Sequence, residues 1–182
     1  MSQIKVDSII PRSGLGTGAS GGVIQVISAA KTDSQTISLA GSSTTGNLSG
    51  LSPTITVTGS NKVLITGFIS GDQGNSNYYN HVGVMIKRGS TVIGKGDADG
   101  NRRQIHSGLS TATGYYQGGR GGASACINFL DTPGAGTHTY NVELTNSHSQ
   151  NVTVYVNRSG QNDNAIYRPR QISVLTLMEV SV

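Results

Sequence analysis

The stretch GLGTGASGG, Gly14 to Gly22, places Gly16, Gly18 and Gly21 in the GxGxxG spacing that cradles a dinucleotide's phosphates. That chemistry needs a buried strand before the glycines and a helix N-terminus after them, whose amides and dipole hold the pyrophosphate. Upstream lies QIKVDSII, a short apolar patch closed by Pro11, and downstream lies VIQVISAA, a β-branched run that passes into polar KTDSQT. Neither neighbour carries the i, i+3, i+4 apolar spacing of a crossover helix, so the glycines read as a connector.

Other reactive groups are sparse. DADGN (Asp97, Asp99, Gly100, Asn101) begins like a calcium loop, but the positions that should hold a glycine and the closing glutamate hold Arg102 and Gly108. Asp-Gly is itself a strong turn signal, so a turn is expected there. His81, His106, His138 and His148 show neither HxH nor HExxH spacing, which leaves them as satisfied or turn histidines unless the fold or a threefold axis gathers them. Glycoside hydrolysis needs two convergent acids, and the only glutamates are Glu143 and Glu179, set in strands with no recognisable catalytic motif. No GxSxG elbow occurs. Cys126, the single cysteine, sits in apolar ASACINFL and is expected to be a buried, inert thiol. The sequence therefore predicts no enzyme, no catalytic residues, no metal site and no cofactor. Paired tyrosines with amides and glycines, Tyr78 and Tyr79 in SGDQGNSNYYNH and Tyr115 and Tyr116 in STATGYYQGGRGG, would suit stacking on a glycan.

The elements that must carry these groups are strands. Among 182 residues there are 26 Gly, no Trp and only 12% charged residues, with Ser, Thr and Asn abundant. Such a chain predicts an all-β fold rich in turns. The formal charge of +4 is spread along the chain and lacks the basic, aromatic-interleaved stripe of a nucleic-acid binder; Arg168 and Arg170 in YRPRQ form only a small cluster. No apolar run approaches the roughly 20 residues of a membrane span, and no secretory signal is visible, so no membrane insertion is expected. Residues 1–22 read as an arm, with Ile4, Val6, Ile9 and Ile10 as apolar contacts and Gly14, Gly16, Gly18, Gly21 and Gly22 as the connector. Residues 23–182 read as one β domain with runs from VIQVISA through ISVLTLMEVSV, separated by turns such as TGSNK, KRGST, DADGN and DTPGAGTH.

Alternation assigns faces. Tyr140, Val142 and Leu144 oppose Asn141, Glu143 and Thr145, and Val152, Val154 and Val156 oppose Asn151, Thr153 and Asn157, giving strands with one wet face. KVLITGFI and SVLTLMEV are apolar on both faces, which calls for a second covering surface, most simply another subunit. Val63, Ile65, Leu175 and Leu177 are thus assigned either to the core or to an oligomer interface.

With these segments in view, SQIKVDSIIPRSG…GGVIQVI resembles the N-terminal arms of virion appendage and fibre proteins of tailed bacteriophages, particularly those of cyanobacteria and marine bacteria. SNKVLITGFISG, VGVMIKRGSTVIGKGD, INFLDTPGAGTHTYNVEL, NVTVYVNRS and ISVLTLMEV resemble the jelly-roll modules of those proteins, akin to tumour-necrosis-factor and complement-type trimeric heads. The resemblance implies a jelly-roll β-sandwich, homotrimeric, with an extended N-terminal arm joined to other virion structural proteins. It implies a structural role in a fibre, tail appendage or capsid decoration on the exterior of the particle, the chain being made in the host cytoplasm. The alternative it leaves open is a tip protein that binds a host surface glycan through the four tyrosines.

Overall fold

A computed structural model describes residues 22–41, 44–73, 82–109 and 122–182. The predicted all-β class is what the chain adopts: twelve strands, with no helix among the described residues. They are β1 (Val23–Lys31), β2 (Gln35–Leu39), β3 (Thr45–Asn47), β4 (Thr54–Val57), β5 (Lys62–Gln73), β6 (Val82–Arg88), β7 (Thr91–Ile93), β8 (Ser107–Gly108), β9 (Ala123–Asp131), β10 (Gly136–Asn146), β11 (Val152–Val156) and β12 (Ser173–Val180). The turns named from sequence provide positive backbone dihedrals at Gly59, Gly89, Gly100 and Gly134, where a side chain would be strained.

The strands form two six-stranded sheets, antiparallel at every pairing. In the first, β5 is central: β9 lies along one side, while β12 and then β11 follow end to end along the other, flanked by β1 and β2. In the second, β10 and β6 form the middle, with β3 and β4 outside β10 and β7 and β8 outside β6. The inner faces pack a single core. Ile65, Leu175 and Leu177 from one sheet and Val84, Ile86 and Leu144 from the other are fully shielded, each worth about 1.5–3 kcal/mol of burial.

Two polar clusters close the core where β5 begins. Glu179, Val63 and Asp131 are direct neighbours across β12, β5 and β9, so both carboxylates face inward beside Val63. Glu179 accepts bonds from Gln25 Nε2 (2.6 Å), Thr58 N (2.8 Å), Thr58 Oγ1 (2.9 Å) and Asn61 Nδ2 (2.8 Å). Burial raises its pKa, but these four donors outweigh that and hold it down at about 2. Asp131 accepts from the Tyr140 hydroxyl (2.7 Å) and from Arg88 NH1 (2.9 Å), tying β9 to β10 and β6 across the sandwich. Burial, then the bond and charge of Asp131, push the Tyr140 phenol well above its ordinary range, so it stays a neutral donor.

Candidate functional site

The outer face of the first sheet is built from the residues between the core positions. Register aligns Val26, Met178, Leu64 and Leu130 in one row across β1, β12, β5 and β9. A parallel row holds Ala30, Val174, Phe68 and Cys126, and a polar row of Ser28, Thr176, Thr66 and Asn128 lies between them. Ser28 and Thr176 bond to each other at 3.0 Å. Val26 is 53% and Leu130 48% exposed, and Met178, Leu64, Phe68 and Val174 are half-buried by their neighbours alone. Direct cross-strand apolar neighbours stabilise a sheet, yet a contiguous apolar face in water marks a surface made to be covered. Beyond β5 the same face becomes polar, with Thr36, Ser38 and Thr153 on β2 and β11.

The sequence assignment of Val63, Ile65, Leu175 and Leu177 to core or interface resolves in favour of core. All four are fully buried within one chain, so the interface alternative is corrected for them. Their outward partners, Leu64, Phe68, Val174 and Met178, carry the apolar excess instead. Alternation also corrects Cys126: Ala125 and Ile127 point inward, so the thiol lies exposed on the outer face beside Phe68.

Among the described residues, the second sheet has no comparable face. Tyr140, Val142 and Leu144 enter the core as predicted, but the opposite positions are less wet than alternation implied: Glu143 and Thr145 are buried. The loop after β7 covers them. Lys87 pairs with Glu143 at 2.8 Å, and Arg103 NH2 donates to Thr145 Oγ1 at 2.7 Å. Lys95, Arg102 and Gln104 complete a cleft of about 480 Å³ over this surface. Within the loop, Asp99 O accepts from Arg102 N (3.1 Å), Asp99 pairs with Arg102 NH1 (2.6 Å), and Gly100 has φ 55°: DADGN is the turn that Asp-Gly predicts, with Asp99 committed to an arginine.

Three histidines bond to backbone. His106 Nδ1 donates to Gly94 O (2.8 Å) while Nε2 accepts from Asn128 N (3.3 Å), which fixes its tautomer; His138 Nε2 donates to Gly134 O (3.0 Å), and His148 Nδ1 accepts from Gln150 N (3.1 Å). Among the described residues, no three His, Cys, Asp or Glu side chains gather as metal ligands. Glu143 and Glu179, the two candidate acids, are engaged with Lys87 and with neutral donors respectively. Among the described residues, no helix is long and apolar enough to cross a membrane.

The opposite end of the sandwich is organised by Asn157, which sequence alternation had placed on an outer face. It is instead 1% exposed, with φ 59°, the only non-glycine in the left-handed region among the described residues. The turn reverses the direction in which its side chain points. Its Nδ2 donates to Lys31 O (2.8 Å) and Asp33 O (2.9 Å), Ser173 Oγ donates to its Oδ1 (2.7 Å), and its N donates to Ser70 O (2.9 Å). Beside it, Asp72 accepts from Gly160 N and Gln73 N, both at 2.8 Å; burial raises its pKa, partly offset by those amides. Lys31, itself buried, reaches out to Asp33 (2.8 Å), whose carboxyl it holds below the usual range. These bonds fix both stems of the loop 158–172.

Of the remaining sequence assignments, Gly22 is paired with the C-terminal segment: its N donates to Ser181 Oγ (3.0 Å) and its O accepts from Ser181 N (2.9 Å). Ile4, Val6, Ile9, Ile10, Gly14, Gly16, Gly18, Gly21, Tyr78, Tyr79, Tyr115 and Tyr116 lie outside the described residues. Compared with known proteins, the chain matches no family model and is significantly similar to no curated sequence. Neither comparison identifies a virion origin or a tumour-necrosis-factor-like head.

Proposed function

We propose that this chain is a structural, self-associating β-sandwich subunit of a bacteriophage particle, a homotrimeric jelly-roll head attached through residues 1–22. The observation that carries the reading is the outer face of the first sheet, where two apolar rows separated by hydroxyl and amide groups lie open to water. Another copy of the chain would cover them, and closed symmetric assembly is the usual outcome when one patch recurs on every subunit. The sheet orders β1-β12-β5-β9 and β4-β10-β6-β7 are those a jelly roll requires. The junction to the arm supports the attachment. Gly22 pairs with Ser181 and leads into β1, whose Val23 lies opposite Val180, at the end of the sandwich where Glu179 and Asp131 close the core, while the loop 158–172 leaves the sheet at the other end. An anchor at one end and a loop at the other suit a projecting appendage.

Deleting residues 1–22 separates the two halves of the reading. The truncated protein should keep the mass of the intact assembly in solution and lose its place on purified particles. Loss of the oligomer on truncation would contradict the sandwich as the assembling unit, and retention on the particle would contradict the arm as anchor.

A further inference from the structure

β11 and β12 are nearly one strand: Val156 is opposite Gly71 and Val174 opposite Phe68 on the same side of β5. Between them the chain leaves the sheet and returns to its starting point, where Arg158 and Arg170 bridge and Gln171 N donates to Asn157 O at 3.0 Å. Connections of about 2–5 residues close such gaps, so the excursion over 158–172 is not needed to join the strands. Nor does it extend the core, since Ile166 at its tip is 103% exposed and Tyr167 55%.

What the loop does build is a polar hollow of about 210 Å³, with Arg158, Arg168 and Arg170 around it and Gln161, Asn162 and Asn164 at its rim. The guanidinium groups are pre-positioned. Arg158 stacks on the Tyr155 ring at 4.1 Å and donates to Ser159 O (3.0 Å), Gly160 O (3.3 Å) and Thr36 Oγ1 (3.1 Å). Arg168 pairs with Asp163, and its guanidinium lies 5.2 Å from the Tyr167 ring. Arg170 gives one nitrogen to Asn162 Oδ1 (2.7 Å), and the rest of its fork has no hydrogen-bond partner among the described residues. With three arginines and one aspartate, the hollow carries a formal excess of two positive charges.

We propose that this hollow binds one acidic sugar ring. Its volume lies below the roughly 300 Å³ at which drug-sized pockets begin, and its lining lacks the apolar walls of such pockets. The open edge of Arg170 meets a carboxylate with two donors, Arg158 supplies a fixed charge behind it, and the amides of Gln161, Asn162 and Asn164 match ring hydroxyls. Immobilised donors lose little freedom on binding. The proposal does not depend on the assembly described above.

Calorimetric and saturation-transfer titrations of the full chain with galacturonate, glucuronate and N-acetylneuraminate test it, with galactose and inorganic phosphate as controls. At least one acidic sugar should bind at least about tenfold more tightly than galactose or phosphate. Arg170→Gln should abolish that preference while leaving the melting curve unchanged, and Asn162→Ala, which frees Arg170 from its positioning bond, should weaken it. Failure of all three acidic sugars to bind would overturn the proposal. So would equal binding of phosphate, which would mark a bare anion site, or binding indifferent to both substitutions.

Discussion

Where β5 begins, the sandwich is closed by short turns and by two inward carboxylates: Glu179, held by Gln25 of its own sheet and by the β4–β5 turn that links the two sheets, and Asp131, held by Tyr140 and Arg88 of the opposite sheet. Where β5 ends, a left-handed asparagine holds the stems of a long polar loop, and the buried Asp72 accepts from the Gly160 and Gln73 amides. The first arrangement joins the sheets; the second joins a loop to the sheets. The closed end spends its polar groups on stability, and the open end presents them to solvent, which is how a domain anchored at one end and read at the other would be built.

Substitutions should separate the ends by size of effect. Asp131→Ala strands the Tyr140 hydroxyl and the Arg88 charge at the sheet interface and should cost about 3 kcal/mol in chemical denaturation. Glu179→Ala leaves the Thr58 amide and the Gln25 and Asn61 side chains without their acceptor and should cost about 2 kcal/mol. The same residue predicts an acid signature. Its pKa is about 2 when folded against an ordinary 4.5, so its contribution is complete above 4.5 and is lost as the pH falls towards 2. In Glu179→Ala, the slope of stability against pH in that window should flatten.

At the open end, Asn157→Ala should cost about 1–2 kcal/mol, combining left-handed strain with the lost bonds to Lys31, Asp33 and Ser173. Asn157→Gly should recover only the strain. Hydrogen exchange should then report loosening confined to the loop's stems, and a global change would break the contrast between the ends. Ile166→Ser, at the loop tip, should stay within about 0.5 kcal/mol of the parent in a thermal melt.

Much of the strand layout was readable because period-two alternation and Gly or Asp turns coincide: KVLITGFI falls within β5, VIQVISA within β1, and ISVLTLMEVSV overruns β12 only at its ends. Three-residue β3, TGN, gave no signal, since its pairing depends on β10 and not on its own residues. Local alternation ran out where the chain stops being a strand: Asn157 turns inward because its backbone becomes left-handed, a change no side-chain pattern encodes. Cys126 was misjudged from its apolar neighbours, although the parity of Ala125 and Ile127 already pointed it outward. Doubly apolar KVLITGFI and SVLTLMEV did carry real information, but they could not say which face was core. The loop hollow escaped notice because Arg158, Asp163 and Arg170 are brought together by the excursion, although a long polar stretch between two strand-like runs was itself a signal.

The apolar rows remain the centre of the account, and solution mass by light scattering addresses them directly. Leu64 and Met178 are half-exposed neighbours within one chain, so glutamate at both positions can reach water without disturbing the core. The parent chain should have the mass of three copies and Leu64→Glu with Met178→Glu the mass of one, each with the same β-sheet circular dichroism. A parent chain that is already single, or a double variant that still assembles, would contradict the claim that this face joins the subunits.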